Sequence, residues 1–373
     1  MDKGLRLAHA IVVPCQGPVR AGAHSALEAG MVHNSARKRD VRAAAALSGS
    51  KYTVALRELE KAERHQSHSR VTQQSRMRVN GKREAAALRS GYTGESRIAA
   101  EAGVKGRGDL GLDSSNIEQQ KFRALLALAL LNKGRIAPAG MDWQCSTFSA
   151  YDPIISSRED ELLVVDSRAP DNVTGWLLPT GSPGGPVRVP GLRLEAVDES
   201  DHATYVMRHI PTGARFIVTS GPTSDVPPDA HCTTPWRDHL TVRDELTPAE
   251  VEALGLIPKM TDAAGRLLAG LITRYTLEDP AGQWATSWDW DPLERPGDRR
   301  SERLPLREGV QRRLWGEGNS WELRWTGYPY PEDLAIALTH PAVGVSGARL
   351  SRHRDTYEVS LGDAILELRP WRV

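Results

Sequence analysis

The chain has 373 residues, and its 48 Lys+Arg against 47 Asp+Glu leave a formal net charge of +1 at pH 7. With 40% hydrophobic and 25% charged residues, the composition is that of an ordinary globular protein and excludes wholesale disorder. The longest near-continuous apolar run, Phe122–Leu131, is far shorter than the roughly 18 residues of a membrane span, so no membrane is predicted as a partner. Three scattered Cys without a CxxC pair predict neither a disulfide framework nor a structural zinc site, and we expect a cytoplasmic protein.

The charges are distributed unevenly along the chain. Residues 1–140 contain 24 Lys+Arg and 12 Asp+Glu, whereas residues 141–373 contain 24 and 35, which gives balances of +12 and −11. All 10 Trp and 21 of the 24 Pro also follow residue 140. We therefore predict a basic helical domain at 31–133, a linker at 134–140, and an acidic, Trp-rich α+β domain at 141–373 that folds by itself. Residues 1–30 have no periodic apolar face, and we expect them to be disordered or not translated.

The basic domain is predicted to be all-helical. An N-cap at Ser35 and a stop at Gly49 predict a helix over 36–47. An amphipathic stripe that starts at Tyr52 predicts a second helix to about His65. The polar stretch that follows reads as a basic linker at 64–81.

Three more helices are predicted before residue 134, from glycine stops and a capping box formed by Ser115 and Glu118. They cover about 82–89, 94–102 and 116–133. The last of them is apolar on nearly every side, which favours a buried helix.

The region after residue 140 is predicted to be α+β and mostly antiparallel. Alternation of apolar and polar residues, typical of half-buried strands, occurs at 192–196, 321–325 and 357–361, and Trp321 and Trp325 are expected to face inward. Turn residues predict two hairpins, which join 203–210 to 215–219 and 356–361 to 364–369. Helices are predicted after Thr247, from a capping box with Pro at the first position, and over 263–275. The stretches 177–190 and 277–304 are predicted to be irregular, and no internal repeat is seen in the sequence.

A cluster of basic residues in the first predicted helix points to phosphate binding. These cations lie in the first turns, where the helix dipole disfavours positive charge, so helix stability does not explain them. Basic residues on the second helix and in the linker extend the cluster. The predicted nucleic-acid-binding residues are Arg37, Lys38, Arg39, Arg42, Arg57, Lys61, Arg64, Arg76, Arg78, Lys82 and Arg83. A basic helix pair with a basic arm gives affinity without base readout. A solvated surface and a docking face for an acidic partner are the alternatives.

The stretch ARKRDVRAAAALSGSKYTVALRELEKA resembles a short helical module of uncharacterised proteins from high-GC bacteria, many on plasmids or other mobile elements. The resemblance rests on the basic first helix, on the break at Ser48-Gly49 and on the second helix that begins with Tyr52-Thr53. It covers about 30 of the 373 residues and carries over no catalytic residue. It implies a bacterial protein associated with a mobile element. The same stretch also approaches the spacing of a helix-turn-helix, but a helical hairpin fits as well.

Signals for catalysis are sparse. Gly106–Gly111 fits GxGxxG, but a predicted helix precedes it where a dinucleotide site needs a strand, so we predict a loop. The absence of GxxxxGK[ST], HExxH and GxSxG removes the commonest ATPase, metalloprotease and serine hydrolase signals, and no cofactor or metal is predicted. A Pro-rich loop nevertheless carries a set of residue types that bind divalent metals, although at spacings of no compact motif. These are Asp225, Asp229, His231, Cys232, Asp238 and His239. Three neighbouring tryptophans, Trp284, Trp288 and Trp290, are expected to cover a core edge, with stacking on bases or sugars as the alternative.

The sequence thus favours a nucleic-acid-associated accessory or regulatory protein, in which the basic part binds DNA non-specifically and the acidic domain contacts a protein. A metal-dependent hydrolase or nuclease that acts from the 220–240 loop, and a protein-interaction module without nucleic acid, are the alternatives. The opposite charges of the two parts also predict that the acidic domain competes with DNA for the basic one.

Overall fold

The structure is a computed structural model, and the chain divides in it into two compact units, Met1–Met77 and Arg78–Val373. The described residues all belong to the second unit and are 81–106, 108–138, 153–165, 170–179, 187–198, 203–220, 245–288, 311–354 and 356–371. Three predicted segments therefore lie outside the described residues. They are residues 1–30, the first two predicted helices, and the basic linker apart from residue 81.

Seven α-helices occur in these described ranges. They are α1 (81–93), α2 (Arg97–Gly103), α3 (Ile117–Leu130), α4 (Pro170–Leu177), α5 (Pro248–Gly255), α6 (Asp262–Thr273) and α7 (Pro331–Thr339). The helices predicted at 82–89, 94–102 and 116–133 correspond to α1, α2 and α3. The predicted capping box of α3 is wrong, because the N-cap is Asn116, whose side chain accepts the Gln119 N–H. The capping box of α5, formed by Thr247 and Glu250 with Pro248 at the first position, is confirmed. No helix in the described part of the chain has both the length and the apolar character that crossing a membrane requires.

Ten strands of the described residues form two five-stranded sheets. The strands are β1 (Ile154–Ser157), β2 (Glu161–Val165), β3 (Leu192–Asp198), β4 (Thr204–His209), β5 (Arg215–Thr219), β6 (Arg312–Glu317), β7 (Ser320–Trp325), β8 (Arg349–His353), β9 (Thr356–Leu361) and β10 (Ala364–Pro370). The order is β1-β2-β5-β4-β3 in the first sheet and β6-β7-β10-β9-β8 in the second. In each sheet three of the four neighbouring pairs are antiparallel, and the second pair, β2-β5 or β7-β10, is parallel. The predicted α+β class, with mostly antiparallel pairing, is thus confirmed for the described residues.

The two sheets repeat one topology. In each, a hairpin is followed by a short helix that begins with proline, and then by three strands, the last of which pairs in parallel with the second strand of the hairpin. We call β1–β5 with α4 repeat 1, and β6–β10 with α7 repeat 2. The expectation that the chain has no internal repeat is therefore wrong at the level of structure.

The helices α3 and α6 pack against each other in the core. Each also contacts the first strand of the repeat that it does not precede, so α3 contacts β6 and α6 contacts β1. In α3 the residues from Phe122 to Leu130 are all buried, as its apolar sequence predicted, and they belong to the core that contains both sheets. Trp321 and Trp325 face inward, with 2% and 1% exposure.

This packing bears on the predicted domain boundary. The compact unit begins at Arg78, and α3, which was assigned to the basic domain, lies in the same core as the strands after residue 153. The segment 141–373 taken by itself lacks this helix. We therefore no longer expect that segment to fold independently.

Candidate functional site

The predicted nucleic-acid-binding residues from Arg37 to Arg78 lie outside the described residues. Lys82 and Arg83 are described and lie at the beginning of α1, where Lys82 is half-buried and Arg83 is exposed. The role of the whole basic set remains a prediction.

The residues considered for metal binding and for stacking lie partly inside and partly outside the described residues. The metal-binding set from Asp225 to His239, together with Trp290, lies outside the described residues. Trp284 and Trp288 are buried and stack on tyrosines, Trp284 on Tyr92 with ring centroids 5.9 Å apart and Trp288 on Tyr275 at 5.5 Å. These two rings cover the core, as expected, and offer no free face to a base or a sugar. Within the described ranges, no three His, Cys, Asp or Glu side chains group as a metal site.

The GxGxxG match is a loop after α2. Gly111 has φ +71°, and a Cβ there would lie 2.0 Å from the carbonyl oxygen of Gly103, so the loop packs tightly on the end of α2. The glycine is required by this close approach, and no strand precedes it as a dinucleotide site would need.

One organised polar site in the described residues surrounds the carboxylate of Glu250. Its Oε2 accepts the Thr247 N–H (2.8 Å), as the capping box requires. The same carboxylate reaches out to repeat 1, where Oε1 accepts the Gly191 N–H (2.7 Å) and both oxygens accept bonds from Arg193 (2.7 and 2.8 Å). We call these four groups the Glu250 site; it fixes α5 to the beginning of β3.

The surroundings of Glu250 strongly favour the charged form of its carboxylate. The side chain is 1% exposed. Burial alone would raise the pKa of Glu250, but the hydrogen bonds from Arg193, Thr247 and Gly191 outweigh it and lower the pKa to about 2. A two-pronged guanidinium bond with an added backbone N–H is among the stronger ways of holding a carboxylate.

Repeat 2 contains the same structural frame, and residues match one to one. In repeat 1 the Val189 N–H donates to the carbonyl of Leu177 at the end of α4 (3.1 Å), and in repeat 2 the Val345 N–H donates to that of Leu338 in α7 (2.8 Å). The glycine two residues after each valine has a left-handed backbone, with φ +82° and +86°. The matched pairs are Pro170 and Pro331, Asp171 and Glu332, Leu177 and Leu338, Val189 and Val345, Gly191 and Gly347, Arg193 and Arg349, Leu194 and Leu350, and Tyr205 and Tyr357.

A side-chain contact is repeated as well. The Tyr205 hydroxyl donates to Asp171 at the second position of α4 (2.8 Å), and Tyr357 lies near Glu332 of α7, where burial and that carboxylate raise the pKa of the tyrosine. The register agrees, since Arg193 lies opposite Arg208, three residues after Tyr205, and Arg349 lies opposite Ser360, three residues after Tyr357. The repeats are therefore equivalent in residues as well as in topology.

The two repeats differ in where the carboxylate lies. The loop before α3 supplies Asp113, which accepts the Ser346 N–H (3.0 Å) and binds the buried Arg274 (2.7 Å). Asp113 thus ties a segment preceding a central helix to the other repeat, as Glu250 does. However, Asp113 accepts the N–H of Ser346, one residue before the glycine that matches Gly191, and Arg349 stays exposed. We call Gly347, Arg349 and Leu350 the Arg349 corner.

A small polar cavity of about 50 Å³ lies between α3 and α6. Arg123 lines it, and its guanidinium donates to Ser157 Oγ (2.9 Å) and to the carbonyls of Ser114 and Glu161 (3.3 and 3.1 Å). Burial lowers the pKa of Arg123 to about 9. A polar cavity of this size has room for a few water molecules. The Arg123 guanidinium joins the loop before α3 to the loop after β1.

Sequence reasoning missed both the Glu250 site and its equivalent. The signal that was available is the pair of segments Val-Pro-Gly-Leu-Arg-Leu at 189–194 and Val-Ser-Gly-Ala-Arg-Leu at 345–350, followed in each case by Thr-Tyr at the start of the next strand. Comparison of the chain with protein-family models, with curated proteins and with solved structures gives no match in any of the three.

Proposed function

We propose that the protein is a nucleic-acid-associated accessory protein. Its all-helical basic N-terminal part binds DNA non-specifically, and the compact unit Arg78–Val373, which we call the two-sheet unit, contacts a protein. The observation that carries this proposal is the division of charge at the boundary between the compact units. Residues 1–77 contain 13 Lys+Arg and 6 Asp+Glu, a balance of +7, and residues 78–373 contain 35 and 41, a balance of −6.

Two further points support the nucleic-acid part. The cations Arg37, Lys38, Arg39 and Arg42 are consecutive or nearly so, and at the start of a predicted helix they are unfavourably placed for helix stability. Phosphate contacts give such a cluster a function, and contacts of this type are independent of base sequence.

The test is a salt titration of DNA binding by the full chain. Fluorescence anisotropy with a labelled duplex gives the slope of log K against log salt, which reports the number of phosphates contacted at about 0.9 each. Replacing Arg37, Lys38, Arg39 and Arg42 by Gln is expected to weaken binding and to reduce the slope by up to about 3.6.

The matched control removes the same charge from the two-sheet unit. Arg97, Lys259, Arg352 and Arg354 are exposed and provide the same three arginines and one lysine. Their replacement by Gln is expected to leave the slope unchanged. Equal loss from both sets would indicate a general charge effect, and absence of binding by the parent chain would remove the nucleic-acid proposal.

A further inference from the structure

The Arg349 corner is an open version of the Glu250 site. In repeat 1 a left-handed glycine and an arginine two residues later hold a carboxylate through one N–H and a two-pronged guanidinium bond. Repeat 2 places Gly347 and Arg349 at the matching positions, with the matching backbone conformation at the glycine. The backbone frame that precedes the arginine is therefore the same in both repeats.

The donors of repeat 2 have no acceptor among the described residues. The Gly347 N–H donates no hydrogen bond within this part of the chain, and the Arg349 guanidinium has no ion-pair partner there. Asp113, the acid that matches Glu250 by its place before a central helix, is engaged by Arg274 and Ser346. Across the sheet from Arg349 lie Ser360 and then Ile365, neither of which is acidic.

The corner is also less covered than its counterpart. Leu194 of β3 is 6% exposed, whereas the matching Leu350 of β8 is 42% exposed. Gly191 is buried and Gly347 is exposed. Because Leu350 follows Arg349 in β8, its side chain lies on the opposite face of the sheet, and its exposure shows that the edge of the sheet at β8 is uncovered. An unpaired cation and a free N–H at an uncovered sheet edge are a combination that a carboxylate of a partner would complement.

We propose that the Arg349 corner is a docking site for a protein partner that presents a glutamate in the first turn of a capped helix, as α5 presents Glu250 to repeat 1. This inference rests on the protein-partner half of the proposed function and is independent of DNA binding. Because Arg349 and the Gly347 N–H are the polar contacts, the partner is recognised through its carboxylate.

The chain itself provides a probe for this site. A capped peptide with the sequence of residues 245–256, Glu-Leu-Thr-Pro-Ala-Glu-Val-Glu-Ala-Leu-Gly-Leu, contains the whole capping box of α5. Titrated into the isotope-labelled full chain, it is expected to shift the backbone amide signal of Gly347 and the side-chain Nε signal of Arg349. A peptide with Gln in place of Glu250 should bind at least about tenfold more weakly, because the charge-assisted bonds are lost.

Two protein variants complete the design. Arg349→Gln should weaken peptide binding at least about tenfold, while Arg352→Gln, at a second exposed arginine of β8, should leave it unchanged. No shift at Gly347, or equal binding by parent and Arg349→Gln, would overturn the proposal. Self-association in sedimentation that is lost in Arg349→Gln would assign the corner to a second copy of the chain and overturn it too. None of these results bears on the salt titration with DNA, so either proposal can be contradicted without the other.

Discussion

Replacing Glu250 by Gln keeps the size of the side chain and removes the charge that Arg193 binds. The fall in the pKa of Glu250 from its usual 4.5 to about 2 corresponds to about 3 kcal/mol of folding free energy at neutral pH. That figure agrees with the cost of about 3–5 kcal/mol for removing one partner of a buried ion pair. We therefore expect Glu250→Gln to lower the free energy of unfolding by about 3 kcal/mol at pH 7.

The pH dependence of this loss of stability tests whether the charge of Glu250 is its cause. Because the folded-state pKa lies below the unfolded one, the stabilisation is complete above about pH 5 and is lost as the pH falls towards 2. Urea unfolding of the parent and of Glu250→Gln should therefore give curves that are well separated at pH 7 and converge as the solution is acidified.

The control is Glu252→Gln, an exposed carboxylate on the same helix, which should change stability by less than about 0.5 kcal/mol. Arg349→Gln should be equally mild, since that guanidinium has no ion-pair partner among the described residues. The reasoning would be refuted if Glu250→Gln were as stable as the parent at pH 7, or if the difference were the same at every pH.

Four other predictions concern the core and the repeats. Leu126→Ala, at a fully buried position of α3, should cost about 2–5 kcal/mol, and the fragment 141–373 should show no cooperative unfolding transition; a sharp melt would mean that α3 is dispensable. Trp321→Ala should cost about 3–5 kcal/mol in the same urea assay, and a cost below 1 kcal/mol would contradict its burial. Tyr205→Phe should cost about 1 kcal/mol because it removes the hydrogen bond to Asp171, and an unchanged free energy of unfolding would contradict that contact.

Local patterns predicted the local elements well. Alternation found β3, β7 and β9, turn residues found both hairpins, and the capping box at Thr247 found α5 with its correct start. These features depend on neighbours in sequence, which a single sequence contains. By contrast β1, Ile154–Ser157, was missed because its two serines are buried against other elements and leave no alternation to read.

Features that depend on distant residues were not predictable in the same way. The charge and Trp content change near residue 140, but α3 lies before that point and is buried by elements far along the chain. The equivalence of the repeats leaves only a short trace in the sequence, at 189–194 and 345–350, and the common role of the valines and glycines there is established by their backbone conformations. The Glu250 site joins residues 57 positions apart in sequence, and no local pattern signals such a pair.

The most direct test of the proposed function is a map of where DNA touches the full chain. Photo-crosslinking to a duplex that contains 5-iododeoxyuridine, followed by peptide mapping, reports contacts without removing any part of the protein. We expect crosslinks between residues 37 and 83, and their loss when Arg37, Lys38, Arg39 and Arg42 are replaced by Gln. Crosslinks confined to residues beyond 83, and unaffected by those replacements, would contradict it.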